Sequence, residues 1–505
     1  MTTVTHLGFI TAEARRLGPD RPALRQAGLT LTFGDLEERA SRVAGWLARR
    51  GVGPGDRVAL LWPNDVRFVE CWLGIMRAGA VAVPLSIRQP DESLAYVLGD
   101  CAAAGMLASD DLAGRAGELS AAAGGGFCAG PGDLQAAAPL TEFPAVSQDD
   151  VCMQPYTSGS TGRPKGVLLT HRGQIWCADV VRKCFLADET EVALLAAPLY
   201  HKNAAVTLKV FLLAGGCCVV LPGFESGAVI EAIDTYKITY LSGVPAMFRM
   251  LLNDTAALAR HDVSSVRFAT AGSAVVTPDL LERFTQVFGA PIAEGYGLTE
   301  GGPDVFLSPR WGIRKPGALG LPVPGCEVRL APLGDENGEA AVGEVGELWV
   351  RNPGVTVGYH RLPEVTAERL RDGWLATRDL MRRDGDGYYY FVGRRDDLIN
   401  VSGENVYPRE VEELLLRHPR VRDVAVVPAP HPVKGQVPVA YVVLAEAAGA
   451  VSAADLIAFF HEHGPHYAYP RVITFVDALP LAGTGKVDRA LLTARAAGDD
   501  RSSRA

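Results

Sequence analysis

Apolar side chains in the first eighty-five residues follow two alternating spacings. In the segment that ends at Gly51, they recur at the spacing of one helix face: Leu36, Ala40, Val43 and Leu47. Thr32 and Asp35 precede this face as a capping box. Residues 57–61 are typical of a buried strand, and a second helical face follows, formed by Phe68, Val69, Trp72, Leu73 and Met76. Residues 81–85 complete a βαβ unit, which predicts a parallel sheet covered by helices.

The same alternation continues through the middle of the chain. Three strand-like segments, 239–245, 265–272 and 291–297, run directly into loops rich in small residues. Ligands in open α/β sheets bind beyond the carboxyl ends of the strands, so these junctions are where we expect the chemistry. The Ala/Gly-rich stretch 121–139 is predicted to be a loop insertion.

The pattern changes twice toward the C-terminus. After about residue 320, short apolar strands and Gly/Asp-rich turns predict a β-rich region, and the segment from Asp396 onward predicts a compact α+β unit. The predicted fold class is therefore α/β, with a large N-terminal domain of layered βαβ sheets plus a β-rich subdomain, and a small, mobile α+β C-terminal domain. We place the domains at residues 1–395 and 396–505.

Composition limits the possible functions. A chain of 505 residues exceeds the usual size of one hydrophobic core, which agrees with two or three folding units. The net charge of −9 gives no general basic surface, so we expect no nucleic-acid partner. The nine cysteines form no C-x-x-C pair, and no apolar run is long enough to span a bilayer. These features predict a cytoplasmic protein with reduced thiols and no membrane span.

The strongest chemical signal is YTSGSTGRPKG, residues 156–166. Its glycines allow backbone N–H groups to approach a ligand closely and to form an anion-binding nest. The hydroxyls of Ser158, Ser160 and Thr161 add donors, and Lys165 adds a mobile positive charge. The segment is not a Walker A loop, because no Lys-Ser or Lys-Thr pair closes it. An ordinary surface loop is the alternative, but the combination favours a polyphosphate site.

This segment resembles the phosphate loop of the adenylate-forming superfamily, which contains acyl-CoA synthetases, adenylation domains of peptide synthetases and firefly-type luciferases. Four further segments resemble motifs of that family in the same order: YHKN (200–203), EGYGLTE (294–300), DGDGYYYFVGRRDDLINVSGENVYPREVEE (384–413) and PLAGTGKVDR (480–489). Together they cover nearly the whole chain, and several ordered motifs are more specific than any one of them.

The resemblance implies that ATP, Mg²⁺ and coenzyme A are used. Lys165 and the phosphate-loop residues would hold the β- and γ-phosphates: Thr157, Ser158, Gly159, Ser160, Thr161 and Gly162. Thr299 would contact the α-phosphate, Glu300 would bind Mg²⁺, and Tyr296 would stack on adenine. The implied nucleotide site is completed by Gly272, Ser273, Glu294, Gly295 and Gly297. Without the neighbouring motifs, Tyr296 is equally a core tyrosine and Glu300 a solvated turn residue.

Two further groups of residues have roles implied by the resemblance. Asp379 and Arg394 would contact the ribose hydroxyls; the alternatives are a capping aspartate and a surface ion pair. The sequence departs from the family at Arg378, where the family usually has glycine. Asp396 would be the hinge about which the C-terminal domain rotates, rather than a plain linker residue.

That rotation would exchange two loops at the active site. Lys486 would bridge the substrate carboxylate and the α-phosphate during adenylation, although a lysine in a Gly-rich loop is otherwise simply solvated. The loop around Gly403 would then face the pantetheine of coenzyme A.

The acyl site is implied by residues near three of the motifs. His201 would lie beside the carboxylate as a gate; a satisfied core histidine is the alternative. Lys202 and Asn203 follow it, and small residues would line the pocket: Ala271, Gly272, Gly295 and Gly302. If Lys202 faces inward, it favours a substrate with a second polar or anionic group, and it can equally face solvent.

The sequence therefore predicts an AMP-forming acid–thiol ligase that acts on a small carboxylic acid, an aryl or short functionalised one, with ATP and CoA. Two alternatives stay open: adenylation with a different acceptor or acid (a carrier-protein thiol, an amine, or nitrite in the diazotisation of an aryl amine), and a non-catalytic nucleotide-binding protein of the same fold. The oligomeric state, monomer or homodimer, is also open.

Overall fold

A computed structural model gives the fold of the chain and describes residues 4–158, 163–272, 276–302, 304–445, 451–480 and 487–499. The chain divides into two compact units. The larger comprises Met1–Arg329, Trp349–Thr377 and Asp386–Tyr390, and the smaller comprises Leu330–Leu348, Arg378–Gly385 and Phe391–Ala505.

The helices of the described residues lie mainly in the larger unit. They are α1 Ala12–Leu17, α2 Phe33–Ala48, α3 Val66–Arg77, α4 Asp91–Cys101, α5 Ala113–Ala122, α6 Pro131–Gln135, α7 His171–Phe185, α8 Lys202–Ala214, α9 Ser226–Tyr236, α10 Pro245–Asn253, α11 Thr255–Leu258, α12 Pro278–Phe288, α13 Pro363–Arg369, α14 Pro408–Leu415, α15 Ala453–His463 and α16 Arg489–Asp499. Short 3₁₀ turns occur at Leu7–Phe9, Asp110–Leu112 and Arg395–Asp397.

The strands alternate with these helices up to residue 296 and then predominate. They are β1 Pro22–Gln26, β2 Leu29–Thr32, β3 Arg57–Leu61, β4 Val81–Pro84, β5 Gly105–Ala108, β6 Phe127–Ala129, β7 Val151–Met153, β8 Tyr156–Ser158, β9 Pro164–Thr170, β10 Val192–Leu195, β11 Cys217–Val220, β12 Tyr240–Gly243, β13 Phe268–Ala271, β14 Ile292–Tyr296, β15 Phe306–Leu307, β16 Leu321–Pro322, β17 Glu327–Pro332, β18 Val345–Arg351, β19 Gly358–Tyr359, β20 Leu370–Arg371, β21 Trp374–Arg383, β22 Tyr389–Arg394, β23 Ile399–Val401, β24 Glu404–Val406, β25 Val421–His431, β26 Gly435–Leu444 and β27 Val472–Phe475.

Two large sheets form the centre of the larger unit. One has the order β16-β15-β14-β13-β12-β10-β11-β1-β2, and its strands from β14 to β1 are parallel. The other has the order β19-β9-β7-β4-β3-β5-β6, with β8 paired to β9. Because β12, β13 and β14 are neighbouring parallel strands, the three predicted strand-to-loop junctions lie at one edge of one sheet. The predicted α/β fold of layered βαβ units is confirmed.

Local signals set several of these boundaries. Thr32 and Asp35 form the predicted capping box of α2, because each side chain accepts from the backbone N–H of the other. Thr277 caps α12, and Gly289 ends that helix with a φ of 65°, a left-handed conformation that costs glycine little. Each of these boundaries depends on residues that are close together in sequence.

The stretch 121–139 is not the predicted loop insertion. Phe127–Ala129 forms β6, which pairs in parallel with β5 at the edge of the sheet, and α6 follows it. Phe127 covers Gly105, where an added Cβ would lie 2.5 Å from the ring, and it meets the Trp46 ring edge-on at 5.1 Å. The packing of Phe127 against Gly105 and Trp46 therefore stabilises a strand in a segment whose Ala/Gly-rich composition predicts a loop.

The smaller unit is a compact α+β structure. Its sheet has the order β24-β23-β26-β25, with β27 parallel to β26, and buried residues of α14 and α15 pack on one face: Val411, Leu415, Leu456 and Phe460. Leu492 and Ala496 of α16 pack on the other. The prediction of an α+β C-terminal unit is thereby confirmed.

Two general features bear on the environment of the protein. All nine cysteines are free thiols, and most of them are buried. In the part of the chain that the structure describes, no helix is both long enough and apolar enough to cross a bilayer.

A pair of packed histidines, one buried and one half-buried, makes the stability of the larger unit depend on pH. The rings of His6 and His171 lie 4.0 Å apart, and His171 Nδ1 accepts from the backbone N–H of Leu7 at 2.9 Å. Burial, with the charge of Arg77, lowers the pKa of His6 to about 4, and burial, with His6, lowers the pKa of His171 to about 3. Below the ordinary value of 6.5 the unfolded chain binds more protons, so stability is full above pH 6.5 and falls as the pH drops toward 4.

We expect each histidine to remove up to about 1.4 kcal/mol of unfolding free energy per pH unit in this range. Urea unfolding at pH 7.0 and 5.0 measures the loss. A His171→Asn variant keeps an acceptor for Leu7 and does not titrate, so it should lose less stability than the wild type between these pH values. Equal losses in both proteins would contradict the assignment.

Candidate active site

The start of the phosphate segment is a strand pair in the larger unit. Thr157 of β8 faces Lys165 of β9, and both side chains are half-buried. Gly166 allows a close approach, because an added Cβ would lie 2.7 Å from Gln154 Nε2. Gly159, Ser160, Thr161 and Gly162, together with the side chain of Ser158, lie outside the described residues.

Thr157 contacts a second predicted residue from a distant part of the chain. Its hydroxyl donates to Glu300 Oε1 at 3.2 Å, across 143 positions of sequence. The pair supplies a carboxylate and a hydroxyl beside Lys165, and oxygen ligands of this kind suit Mg²⁺. These residues fit the predicted metal role, and the structure brings the phosphate segment and the acidic motif together.

Backbone contacts fix the position of Glu300. The N–H of Thr356 donates to Glu300 O at 2.7 Å, and Asn352 Nδ2 donates to Gly301 O at 2.9 Å. Gly302 then turns with a φ of 83°, and an added Cβ there would meet Asn352 Oδ1 at 3.1 Å. The loop after β14 is thus held by the 352–356 segment.

The other residues of EGYGLTE line the end of β14. Glu294 is buried and accepts from the N–H of Gly317 at 3.1 Å, a contact that fixes a neighbouring loop. Tyr296 is half-buried and lies 5.9 Å from the Phe306 ring. Gly297 and Thr299 are also half-buried, so this motif combines structural contacts with partly accessible groups.

The predicted acyl residues come from neighbouring elements of the same unit. Gly272 follows β13, and an added Cβ there would lie 3.2 Å from Gly295 O, so Ala271, Gly272 and Gly295 form one closely packed floor. His201 precedes α8 and packs on Tyr200 at 4.7 Å. Ser242 of β12 donates to Asn203 Oδ1 at 2.6 Å, which ties the start of α8 to this sheet edge. Ser273 lies outside the described residues.

Two charged residues of this unit were missed by the sequence analysis. Lys209 is fully buried on α8, and Asp304 is half-buried just after Gly302. Burial raises the pKa of Asp304, while the charges of Lys202 and Lys209 oppose that rise. Lys202, itself half-buried, is therefore within electrostatic reach of this carboxylate. A single lysine inside the apolar run AAVTLKVFLL was the available signal for Lys209.

Within the smaller unit, the two predicted ribose residues form an ion pair. Arg394 Nε lies 3.1 Å from Asp379 Oδ1, and the aspartate side chain is buried, whereas the arginine is mostly exposed. Asp379 is thus held in place by a cation that still faces solvent.

Arg378, at the position where the family usually has glycine, adopts a left-handed φ of 62°. Its N–H donates to Glu347 at 3.1 Å, and its guanidinium lies 3.3 Å from Asp396, the predicted hinge residue. The side chain therefore contacts the hinge position through an ion pair.

The remaining predicted residues lie in loops of the smaller unit. Gly403 is at the exposed tip of the β23–β24 hairpin, where Ser402 and Gly403 have φ values of 55° and 92°, as a two-residue type I′ turn requires. Lys486 lies outside the described residues. Two residues on either side of it in sequence are joined by a hydrogen bond: the N–H of Asp488 donates to Pro480 O at 2.8 Å.

Comparison with known proteins identifies two family models that match the chain. The AMP-binding enzyme family matches residues 11–360, and the AMP-binding enzyme C-terminal domain matches residues 410–486. A feruloyl-CoA synthase of Amycolatopsis sp is 38% identical over 491 residues, covering 95% of this chain and 97% of that protein. A sulfoacetate–CoA ligase of Cupriavidus necator is 34% identical, covering 93% of this chain and 94% of that protein.

Among solved structures, an anthranilate CoA ligase in complex with anthranoyl-AMP superposes with a TM-score of 0.90 at 26% identity, covering 99% of both chains. The chain belongs to the AMP-binding enzyme family, within the adenylate-forming acyl-CoA synthetase superfamily that its motifs predict, and its predicted class, an AMP-forming acid–thiol ligase, is confirmed.

Proposed function

We propose that this enzyme activates an aryl or short functionalised carboxylic acid as its acyl-adenylate and transfers the acyl group to coenzyme A. The observation that carries the proposal is the contact between Thr157 and Glu300 beside Lys165. It concentrates a cation, a hydroxyl and a carboxylate at one place, as the binding of a metal–polyphosphate substrate requires.

In the first step, a carboxylate oxygen of the substrate attacks the α-phosphorus of ATP, and pyrophosphate leaves. Negative charge accumulates on the phosphate oxygens, so fixed positive groups accelerate the displacement. Lys165 and Thr299 are the described groups that we assign to these oxygens. Glu300 would hold Mg²⁺, which would neutralise further negative charge. Tyr296 is assigned to adenine, and Gly272, Glu294, Gly295 and Gly297 to the walls of the nucleotide site.

In the second step, the thiol of coenzyme A attacks the acyl carbon, and AMP leaves. We propose that rotation at Asp396 replaces Lys486 with the Gly403 turn between the steps, and that Asp379 and Arg394 bind ribose. On this proposal, the functional domains are 1–395 and 396–505.

The small side chains of Ala271, Gly272 and Gly295 leave room for an acyl group beside the nucleotide site. A feruloyl-CoA synthase, a sulfoacetate–CoA ligase and an anthranilate CoA ligase act on aryl or functionalised acids, as their names state. Because all nine thiols are free, we also propose the reducing cytoplasm as the site of action.

Pyrophosphate release tests the proposal across aryl, aliphatic, dicarboxylic and amino acids, each with and without CoA. We expect release with a restricted set of acids, together with an acyl-CoA product detected by mass spectrometry. Pyrophosphate release without consumption of CoA would instead favour adenylation with another acceptor or acid: a carrier-protein thiol, an amine, or nitrite. Nucleotide binding with no release for any acid would indicate a non-catalytic protein.

A further inference from the structure

Lys209 is a buried cation in the middle of an apolar helix. Only 2% of its surface is exposed, and its neighbours on α8, Leu208 and Val210, belong to the hydrophobic core. Burial lowers the pKa of Lys209, since an ammonium group loses its hydration there. A lysine at such a position destabilises the fold unless its three N–H donors find acceptors.

Within the part of the chain that the structure describes, those donors are not all satisfied. Lys209 Nζ donates to Gln174 Oε1 of α7, its one hydrogen-bond acceptor there. The amide nitrogen of Gln174 is itself buried and has no hydrogen-bond partner. Several N–H donors are therefore concentrated around one buried point without matching acceptors, an arrangement that proteins rarely keep without a reason.

Cys177 of α7 connects these donors to Gly302, a residue of the predicted acyl pocket. Gln174 and Cys177 share a face of α7, and an added Cβ at Gly302 would lie 3.5 Å from Cys177 Sγ. Asp304 follows Gly302 and is close enough to Lys209 for each charge to affect the other. Among the described residues, however, Asp304 has no hydrogen bond or direct ion pair, so donors and an acceptor are both present but not joined.

We propose that Lys209, Gln174 and Asp304 form a specificity-determining subsite for a hydroxyl group at the end of the acyl substrate remote from its carboxylate. The hydroxyl oxygen accepts hydrogen bonds from Lys209 and Gln174, and the hydroxyl proton is donated to Asp304. One hydroxyl group therefore provides the acceptor that the two donors lack and the donor that Asp304 lacks. This inference rests on the proposed function, and it narrows the substrate class to aryl or short-chain acids that carry a hydroxyl group.

The test compares three acids of one skeleton: 4-hydroxycinnamate, 4-methoxycinnamate and cinnamate, with the matching benzoates as a shorter series. Pyrophosphate release gives kcat/KM for each. For the wild type we expect the hydroxylated acid to exceed the unsubstituted acid by about 10- to 100-fold, the value of one or two hydrogen bonds to charged groups. A methoxy oxygen accepts but does not donate, so its acid should be intermediate.

Two variants separate the roles. Lys209→Met should lower kcat/KM for the hydroxylated acid by about 10- to 100-fold and leave cinnamate within about 2-fold, because the contact with the hydroxyl is the only substrate contact that is lost. Asp304→Asn should reduce the preference for hydroxy over methoxy. Lys183→Met is the matched control, since Lys183 lies at the surface of α7 and pairs with Asp179; it should change none of these ratios.

Thermal unfolding checks that each variant is folded. If the wild type activates these acids but Lys209→Met and Asp304→Asn leave the ratios unchanged, the subsite is wrong and the proposed function stands. The subsite is equally wrong if Lys209→Met lowers kcat/KM for all three acids alike. If no acid of any class supports pyrophosphate release, the proposed function itself fails.

Discussion

A Lys486→Ala variant is expected to lose adenylate formation while it still converts a supplied acyl-adenylate to acyl-CoA. On the proposed mechanism, the ammonium group of Lys486 neutralises charge on the α-phosphate only in the first step. Removing one group that stabilises transition-state charge commonly lowers kcat by about 10²- to 10³-fold. The second step, in which the adenylate is already formed, does not need this charge.

The flanks of the lysine segment make the experiment interpretable. The hydrogen bond from the N–H of Asp488 to Pro480 O uses backbone atoms alone, and Leu479 is buried in the core of the smaller unit. Truncating Lys486 leaves these contacts intact, so we expect no change in the unfolding transition. Lys237→Ala, at an exposed lysine paired with Asp234, is the control and should retain both half-reactions.

The two half-reactions are measured separately, the first as pyrophosphate exchange and the second as CoA consumption with synthetic acyl-adenylate. Equal loss in both, or no loss in either, would remove Lys486 from its assigned role.

What the sequence predicts well is local. The capping box of Thr32 and Asp35 and the β3 strand depend on residues within a few positions of one another. In such segments local preference and the final fold agree, so periodicity and cap chemistry suffice.

Long-range contacts are a different case. Nothing in their spacing brings Thr157 to Glu300, and their proximity was implied by the family resemblance rather than by the residues themselves. The 121–139 stretch was predicted wrongly because the signal lay in one pair of distant residues, Phe127 and Gly105, and not in the composition. Lys209 was missed because periodicity records where side chains lie and not whether their donors are satisfied.

A Glu300→Gln variant is expected to lower kcat by about 10²- to 10³-fold and to require about 10-fold or more Mg²⁺ for half-maximal rate. The substitution removes the negative charge but keeps the oxygen that accepts from Thr157. It also leaves the backbone contacts of the loop in place, since Thr356 and Asn352 bind main-chain oxygens. The expected loss is therefore electrostatic and not structural.

A Mg²⁺ titration of pyrophosphate release at saturating ATP measures both effects. Thr157→Val keeps the carboxylate and removes only its hydroxyl donor, so it should reduce the rate less and shift the Mg²⁺ requirement less than Glu300→Gln. Glu327→Gln, at an exposed carboxylate paired with Arg351, is the matched control and should behave as the wild type. If Glu300→Gln lowers the rate with an unchanged Mg²⁺ requirement, its carboxylate holds the loop and does not bind the metal. The contact between Thr157 and Glu300 would then only position β8, the strand that carries Thr157.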